Sequence, residues 1–280
     1  MSTPFIHVRS SAYRRIAVAY LAAANLMLAC SSTVATAADM PMPTKAPEPS
    51  VYQWSGCYIG ANIGGGTGGT NFGTTVDPGT YLAVGDAASI NVSGNGGANA
   101  DGLLGGGQLG CNWQVGTLVL GFEGDFDSFH SNPNFNNNTN TLPSTGAAYS
   151  IAQSLTTNYL ATVRPRIGIA ADRNFAYLTG GAAFTHVSYT ETYTDANGPP
   201  GPGPGGGTAT AARSLVGWTA GAGWEYALAD HWTFRAEYLF ASFPTTNALG
   251  IVVAPGATNT LHGSTDLVVQ LIRAGVNFKF

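Results

Sequence analysis

The sequence predicts an all-β protein, an eight-stranded antiparallel transmembrane β-barrel with short periplasmic turns and four long extracellular loops. Three observations carry that expectation. Only 9% of the 280 residues are charged, against about 25% in ordinary soluble domains. Apolar and polar residues alternate with period two along eight separate segments, the mark of strands with one apolar face. The connections between those segments alternate short and long, as in barrels that cross a membrane.

Composition also excludes other classes. A formal charge of −4 gives no basic surface for nucleic acid. The 11% aromatic content argues against a disordered chain. No segment beyond the N-terminus supplies the run of about 20 apolar residues that a spanning helix needs. Glycine, at 38 residues, is about twice its usual share of ~7%.

The chain opens with Arg9, Arg14 and Arg15, an apolar run over residues 16–30, and Ala35-Thr36-Ala37. A basic start, a short apolar core and an A-x-A site read as a secretory signal peptide over residues 1–37. Its removal takes three arginines and no acid, so the formal charge falls from −4 to −7. Met27-Leu28-Ala29 before Cys30 is a poor lead-in for lipid attachment. Residues 38–53 hold Pro41, Pro43, Pro47 and Pro49 and read as an extended periplasmic tether. Residues 54–280 are assigned to the barrel.

The first strand follows Cys57, Ile59, Ala61 and Ile63, alternating with Tyr58, Gly60, Asn62 and Gly64. The second follows Leu109, Cys111 and Trp113; the third follows Leu118, Leu120, Phe122 and Phe126. The fourth carries Ala161, Val163, Ile167 and Ile169 against Thr162, Arg164, Arg166 and Gly168. The run 175–189 is strand-like with an ambiguous phase. Trp218, Ala220, Ala222, Trp224 and Tyr226 mark the sixth strand, and Trp232, Phe234, Ala236, Tyr238 and Phe240 the seventh. Ile272, Ala274, Val276, Phe278 and Phe280 mark the last. Most of these segments match the ~9–11 residues that cross a bilayer at a tilt. Short connections lie at 114–116, 171–174 and 228–231; long ones, rich in Gly, Asn, Thr, Ser and Pro, lie at 67–101, 129–156, 190–213 and 244–266.

The face opposite the apolar one carries Glu123, Asp125, Arg164, Arg166, Glu225, Arg235, Glu237 and Arg273 among glycines. Four acids and four bases in a narrow lumen are expected to pair, because a confined charge without a partner is costly. A polar channel lining is the other reading of the same pattern. Trp54, Tyr58, Trp113, Trp218, Trp224, Tyr226 and Trp232 fall near strand ends, where aromatic girdles would place them.

Other motifs carry less. Gly64-x-Gly66-x-x-Gly69 matches the dinucleotide fingerprint, but no helix start follows it; it reads as a flexible loop. His130, His186, His231 and His262 lie on separate segments without metal-ligand spacing. His186 and Ser188 share a strand face, so the histidine could activate the serine; Glu191 is near in sequence, but no oriented acid is evident. Neither a metal, a cofactor nor a catalytic set is therefore expected.

Cys57 and Cys111 lie near the turn-side ends of the first two strands, on the apolar face, in an oxidising compartment. They are candidates for a cross-strand disulfide. Two separate lipid-facing cysteines remain the alternative, one register slip away.

The segments Tyr52-Gln53-Trp54-Ser55-Gly56-Cys57-Tyr58-Ile59-Gly60, Gly121-Phe122-Glu123-Gly124-Asp125-Phe126, Gly217-Trp218-Thr219-Ala220-Gly221-Ala222-Gly223-Trp224-Glu225-Tyr226 and Ala274-Gly275-Val276-Asn277-Phe278-Lys279-Phe280 resemble the small outer-membrane β-barrels of α-proteobacteria. These are porin-like surface antigens related to opacity proteins. The resemblance covers the chain after the signal, long loops excluded; Cys57 departs from it, since the family often has Phe there. It implies location in the outer membrane, a role in envelope integrity and surface contact, and no known reaction. It further implies that the assembly machinery captures the last strand, ending on Phe278 and Phe280, by β-augmentation. The expected partners are outer-membrane lipids, that machinery and host or surface ligands of the loops, with the barrel a monomer. A passive channel for small solutes is the alternative function; a lipid-modifying membrane enzyme at His186 and Ser188 is a remote one.

Overall fold

The computed structural model describes residues 52–196 and 204–280. The signal peptide, the tether up to residue 51 and most of the glycine–proline segment 198–207 lie outside the described residues. Eight long strands carry the wall: β1 (Gly56–Val76), β3 (Gly102–Val115), β4 (Leu118–Ser131), β7 (Ala148–Ala171), β8 (Asn174–Asp195), β9 (Gly206–Ala227), β10 (Trp232–Ala254) and β11 (Ala257–Lys279). Each pairs antiparallel with its neighbours in the order β1-β3-β4-β7-β8-β9-β10-β11, and β11 pairs back to β1. Closure gives every wall strand a partner on both sides. The short strands β2 (Gly96–Asn99), β5 (Asn134–Asn136) and β6 (Asn140–Thr141) add to the outer ends of β1 and β7, and the helix α1 (Val84–Ser93) lies between β1 and β2.

The strands run well beyond the segments read from the sequence. β8 has 22 residues, roughly 70 Å at about 3.3 Å per residue, where a tilted crossing needs ~9–11 residues. The connection expected at 244–266 is instead a hairpin whose turn is Pro255-Gly256, with Gly256 at φ 83°. The expected loop 190–213 is strand up to Asp195 and again from Gly206. Gly64, Gly66 and Gly69 lie inside β1, paired with β11, so that motif is strand and not loop. The cause is threonine, serine and tyrosine, which suit a pleated, half-buried surface. Their polarity mimics a loop once the outer face is in water.

Facing is continuous along β11 while polarity switches part-way; on β7 and β10 an irregularity, between Thr157 and Leu160 and between Phe243 and Thr246, shifts the inward phase by one residue. On β11, Ile272, Val276 and Phe278 point outward and are exposed, with Arg273 and Asn277 buried inside. Further out the same inward phase carries Leu271, Val269, Leu267 and Leu261, all buried, while the outward phase becomes Asp266, Ser264 and His262. β10 repeats the switch on its inward face, from Arg235 and Glu237 to Leu239, Ala241 and Phe243. The barrel is thus apolar outside and polar inside across the bilayer, and apolar inside above it.

That outer core includes Phe72, Leu104, Phe129, Leu155, Leu160, Phe243 and Leu271, and Leu82 and Ile90 of α1 and its approach pack onto it. The helix was not legible in the sequence, because a short helix with few apolar positions is held by docking rather than by its own propensity. Asp86 in its first turn accepts hydrogen bonds from Ser144 N (2.9 Å) and Ser144 Oγ (2.6 Å), tying it to the connection before β7. The turn end is closed by Tyr52, Trp54, Phe175 and Tyr177 with Val119, Ala170 and Ala227. Tyr52, assigned to the tether, and Trp54 and Tyr58, assigned to a girdle, are therefore buried inside. Trp54 precedes the first strand and folds under the barrel; its indole Nε1 donates to Asp172 O (3.2 Å). Trp113, Trp218 and Trp232 do face outward and are about half exposed.

Candidate functional site

The chemistry-bearing residues meet in one layer across the lumen. β4 contributes Glu123, Asp125 and Asp127, β7 Thr162, Arg164 and Arg166, β9 Glu225, β10 Arg235 and Glu237, and β11 Arg273. Period two puts each set on the inward face, and all are buried.

Arg164 sits at the centre. Its guanidinium reaches Glu123 (2.8 Å), Asp125 (2.8 Å) and Glu237 (3.2 Å). Arg235 bridges Glu123 (2.6 Å) and Glu237 (2.8 Å). Arg273 bridges Asp127 (2.6 Å), Glu237 (2.7 Å) and Asp125 (3.0 Å). Arg166 binds Glu225 (2.6 Å) and Glu123 (3.4 Å). Its planar group also lies 4.8 Å from the Tyr58 ring centroid and 5.1 Å from that of Tyr177, so it stacks on the turn-end aromatics.

Neutral groups add further hydrogen bonds, although Arg164 Nε, Arg166 Nη2, Arg235 Nε and Asp127 Oδ1 are buried without a partner. Tyr58 OH donates to Glu123, and Tyr177 OH donates to Glu237 Oε1 (2.9 Å). Thr162 Oγ1 donates to Asp125 Oδ2 (2.6 Å), and Arg166 Nε donates to Asn112 Oδ1 (2.9 Å). Gln108 Nε2 donates to Asn277 Oδ1 (2.7 Å), and Asn62 Nδ2 donates to Gln108 Oε1 (2.8 Å). Glycines leave room for the long side chains. A Cβ at Gly121 would stand 2.9 Å from Arg166 Cγ, and one at Gly110 would stand 2.6 Å from Tyr58 Cζ. The layer spans the barrel from wall to wall with its polar groups pointed at one another.

All eight charged positions named from the sequence lie in this layer. Asp127 belongs to it as well, making five acids to four arginines; the strand expected from the sequence stops at Phe126, one residue short of it. Continuing the alternation Glu123, Asp125, Asp127 finds it. Tyr58 shares the inward phase of Asn62 and therefore lies in the lumen and not in a girdle.

Cys57 and Cys111 stand directly opposite each other on β1 and β3 and are joined at S–S 2.03 Å, on the outward phase near the turn end. Phe278 and Phe280 face outward at the seam where β11 meets β1, and Phe280 N donates to Cys57 O (3.0 Å). His186 and Ser188 share the outward face of β8, but the imidazole Nδ1 pairs with Ser214 Oγ (3.3 Å) of β9. Glu191 has the opposite phase and is buried inside, so it cannot orient His186. Among the described residues no group of three or more His, Cys, Asp or Glu is placed to hold a metal ion.

The chain is similar to known outer-membrane proteins over most of its length. The model of the family described as "Outer membrane protein beta-barrel domain" matches residues 23–280. The "31 kDa outer-membrane immunogenic protein" of Brucella melitensis biotype 1 is 28% identical over 256 residues, covering 89% of this chain and 95% of its own length. The "25 kDa outer-membrane immunogenic protein" of Brucella abortus biovar 1 is 24% identical over 260 residues, covering 89% and 92% respectively. Among solved structures, the outer membrane protein OprG of Pseudomonas aeruginosa is 10% identical and covers 82% of this chain, with a TM-score of 0.34.

Proposed function

We propose, from the premise that this chain belongs to the outer-membrane protein β-barrel family, that it is a sealed structural barrel. It would reinforce the outer membrane and hold a rigid outer half at the cell surface for contact with surface ligands. The observation that carries this reading is the buried ionic layer, whose charged groups are 0–6% exposed. Eight strands give an interior only wide enough for side chains to fill. Here those side chains are cross-linked by charge-assisted hydrogen bonds, so a solute would have to part them. The descriptions of the two Brucella relatives as immunogenic suit a protein whose outer half is reached from outside. A catalytic role finds no support in the placement of His186, Ser188 and Glu191.

Planar-bilayer recording of the purified barrel tests the reading. A sealed barrel yields no steady single-channel current, and Arg164→Ala with Arg166→Ala opens a leak. Large, steady currents from the unmodified protein would favour the passive channel instead.

A further inference from the structure

Arg213 is the one lysine or arginine, among the described residues, on the outer side of the ionic layer. The others lie in that layer or, as Arg173 and Lys279, at the turn end. It occupies the inward phase of β9, in step with Thr219 and Glu225, yet it is exposed. The cause is a break in the wall. The β9–β10 ladder pairs Trp218 with Ser242 and next pairs Thr210 with Leu249, one residue out of step, leaving 211–217 and 243–248 without rungs between them. Pro244 lies in this stretch and has no N–H to offer. β8 holds the other side of β9 through Val187↔Arg213, and β11 holds the other side of β10 through Phe243↔Leu267 and Thr246↔Thr265. The opening is therefore built into a closed barrel.

A groove of about 400 Å³ lies over the outer face beside this break, lined by Arg213, Thr75, Asn247, His262 and Ser264. The side chain of Arg213 has no hydrogen bond or ion pair among the described residues. His262 is partly exposed and holds Asp77 through Nε2 (3.1 Å). The height is informative. On β9, Val216 and Trp218 are the last exposed apolar residues of the outward face before Ser214; on β10, Leu249 at the groove's edge and Ile251 and Val253 beyond it are also exposed. Arg213 is three positions beyond Val216, roughly 10 Å along the strand, or about 7 Å above the apolar belt at a tilt near 45°. That is the layer in which lipid headgroups carry their charge.

We propose that this groove binds a phosphate monoester at the level of the membrane headgroups. Arg213 supplies the two-pronged donor that suits phosphate oxygens, and the side chains of Asn247 and Thr75 supply neutral donors around it; the Ser264 hydroxyl beside them donates to Gly73 O (3.4 Å). An arginine without an ion-pair partner, opened to solvent by a missing rung and set beside neutral polar side chains, is free to take an anion. The phosphate can belong to an outer-leaflet lipid or to a soluble sugar phosphate; the chemistry recognised is the same.

The test uses the whole barrel in phosphatidylcholine vesicles with or without a minor fraction of spin-labelled phosphatidic acid. In parallel, inorganic phosphate is titrated against the barrel in neutral detergent and followed by phosphorus NMR. Preference for the labelled acid over labelled phosphatidylcholine, reduced at least about fivefold by Arg213→Gln, supports the site with a lipid source. Phosphate binding without lipid preference, lost in the same variant, supports it with a soluble source. Arg213→Lys is expected between wild type and Gln, since it keeps charge but loses the fork. Folding is checked by the mobility change on heating; if Arg213→Gln fails it, Arg213→Lys and Asn247→Ala carry the comparison. Wild type binding neither probe, or folded variants binding both as wild type does, overturns the proposal.

Discussion

Replacing Arg164 by methionine removes the hub of the ionic layer while keeping a long apolar side chain. The arginine touches Glu123, Asp125 and Glu237, and its side chain is fully buried. Breaking a buried ion pair from one side costs about 3–5 kcal/mol, because the remaining charge stays desolvated. Here each carboxylate keeps another partner: Arg235 and Arg166 on Glu123, Arg273 on Asp125, and both Arg235 and Arg273 on Glu237. The loss therefore falls near the lower end, about 3 kcal/mol. Adding Glu123→Gln removes one of the two excess negative charges that the layer then carries, so the double variant is expected to recover part of the loss as a coupling of about 1 kcal/mol or more. The assay is reversible denaturant unfolding of the barrel in lipid vesicles, followed by tryptophan fluorescence and by mobility on gels. An Arg164→Met midpoint within about 0.5 kcal/mol of wild type, or a double variant that is simply additive, would refute the view that the layer acts as one coupled unit.

Glu191 supplies a pH prediction in the outer half, beyond the apolar belt. Its carboxylate is buried with no cation beside it and is held by Thr74 and by Tyr189 OH (3.1 Å); burial pushes its pKa up to about 7. The folded state thus holds a proton that the unfolded chain releases near pH 4.5, so stability falls as pH rises from about 4.5 to 7, by roughly 3 kcal/mol. Denaturant midpoints at low and neutral pH should show this slope, and Glu191→Gln should flatten it. The Cys57–Cys111 bond closes a separation of 54 residues, which the loop-entropy model makes worth up to about 4 kcal/mol. Cys57→Ser with Cys111→Ser should lower the unfolding midpoint, and free thiols titrating in the folded wild type would sink the pairing. Deleting Phe280 removes an outward aromatic from the closing seam; outer-membrane levels should drop while export to the periplasm is unchanged, as read by fractionation.

By itself the sequence determined the faces of the wall. Period-two alternation needs only local information, and it identifies Ile59, Leu120, Ile167, Trp218 and Ile272 as outward and Glu123, Arg164, Arg235 and Arg273 as inward. It fails where side chains are small, as in Gly180-Gly181-Ala182-Ala183, because glycine and alanine carry too little polarity difference to show the phase of β8. It fails too at strand ends. Beyond the belt the outward residues of β8 and β11 are largely Thr, Ser, His and Asp, and only hydrogen bonds to neighbouring strands distinguish ladder from loop there. The tertiary structure alone decided which charges meet, since Glu123 and Arg235 lie 112 residues apart and are brought together by the stagger of the closed barrel. It alone decided that Trp54 folds inward and that α1 packs onto the outer core. The one-residue slip between β9 and β10 that exposes Arg213 is likewise a property of ring closure, which no single strand carries.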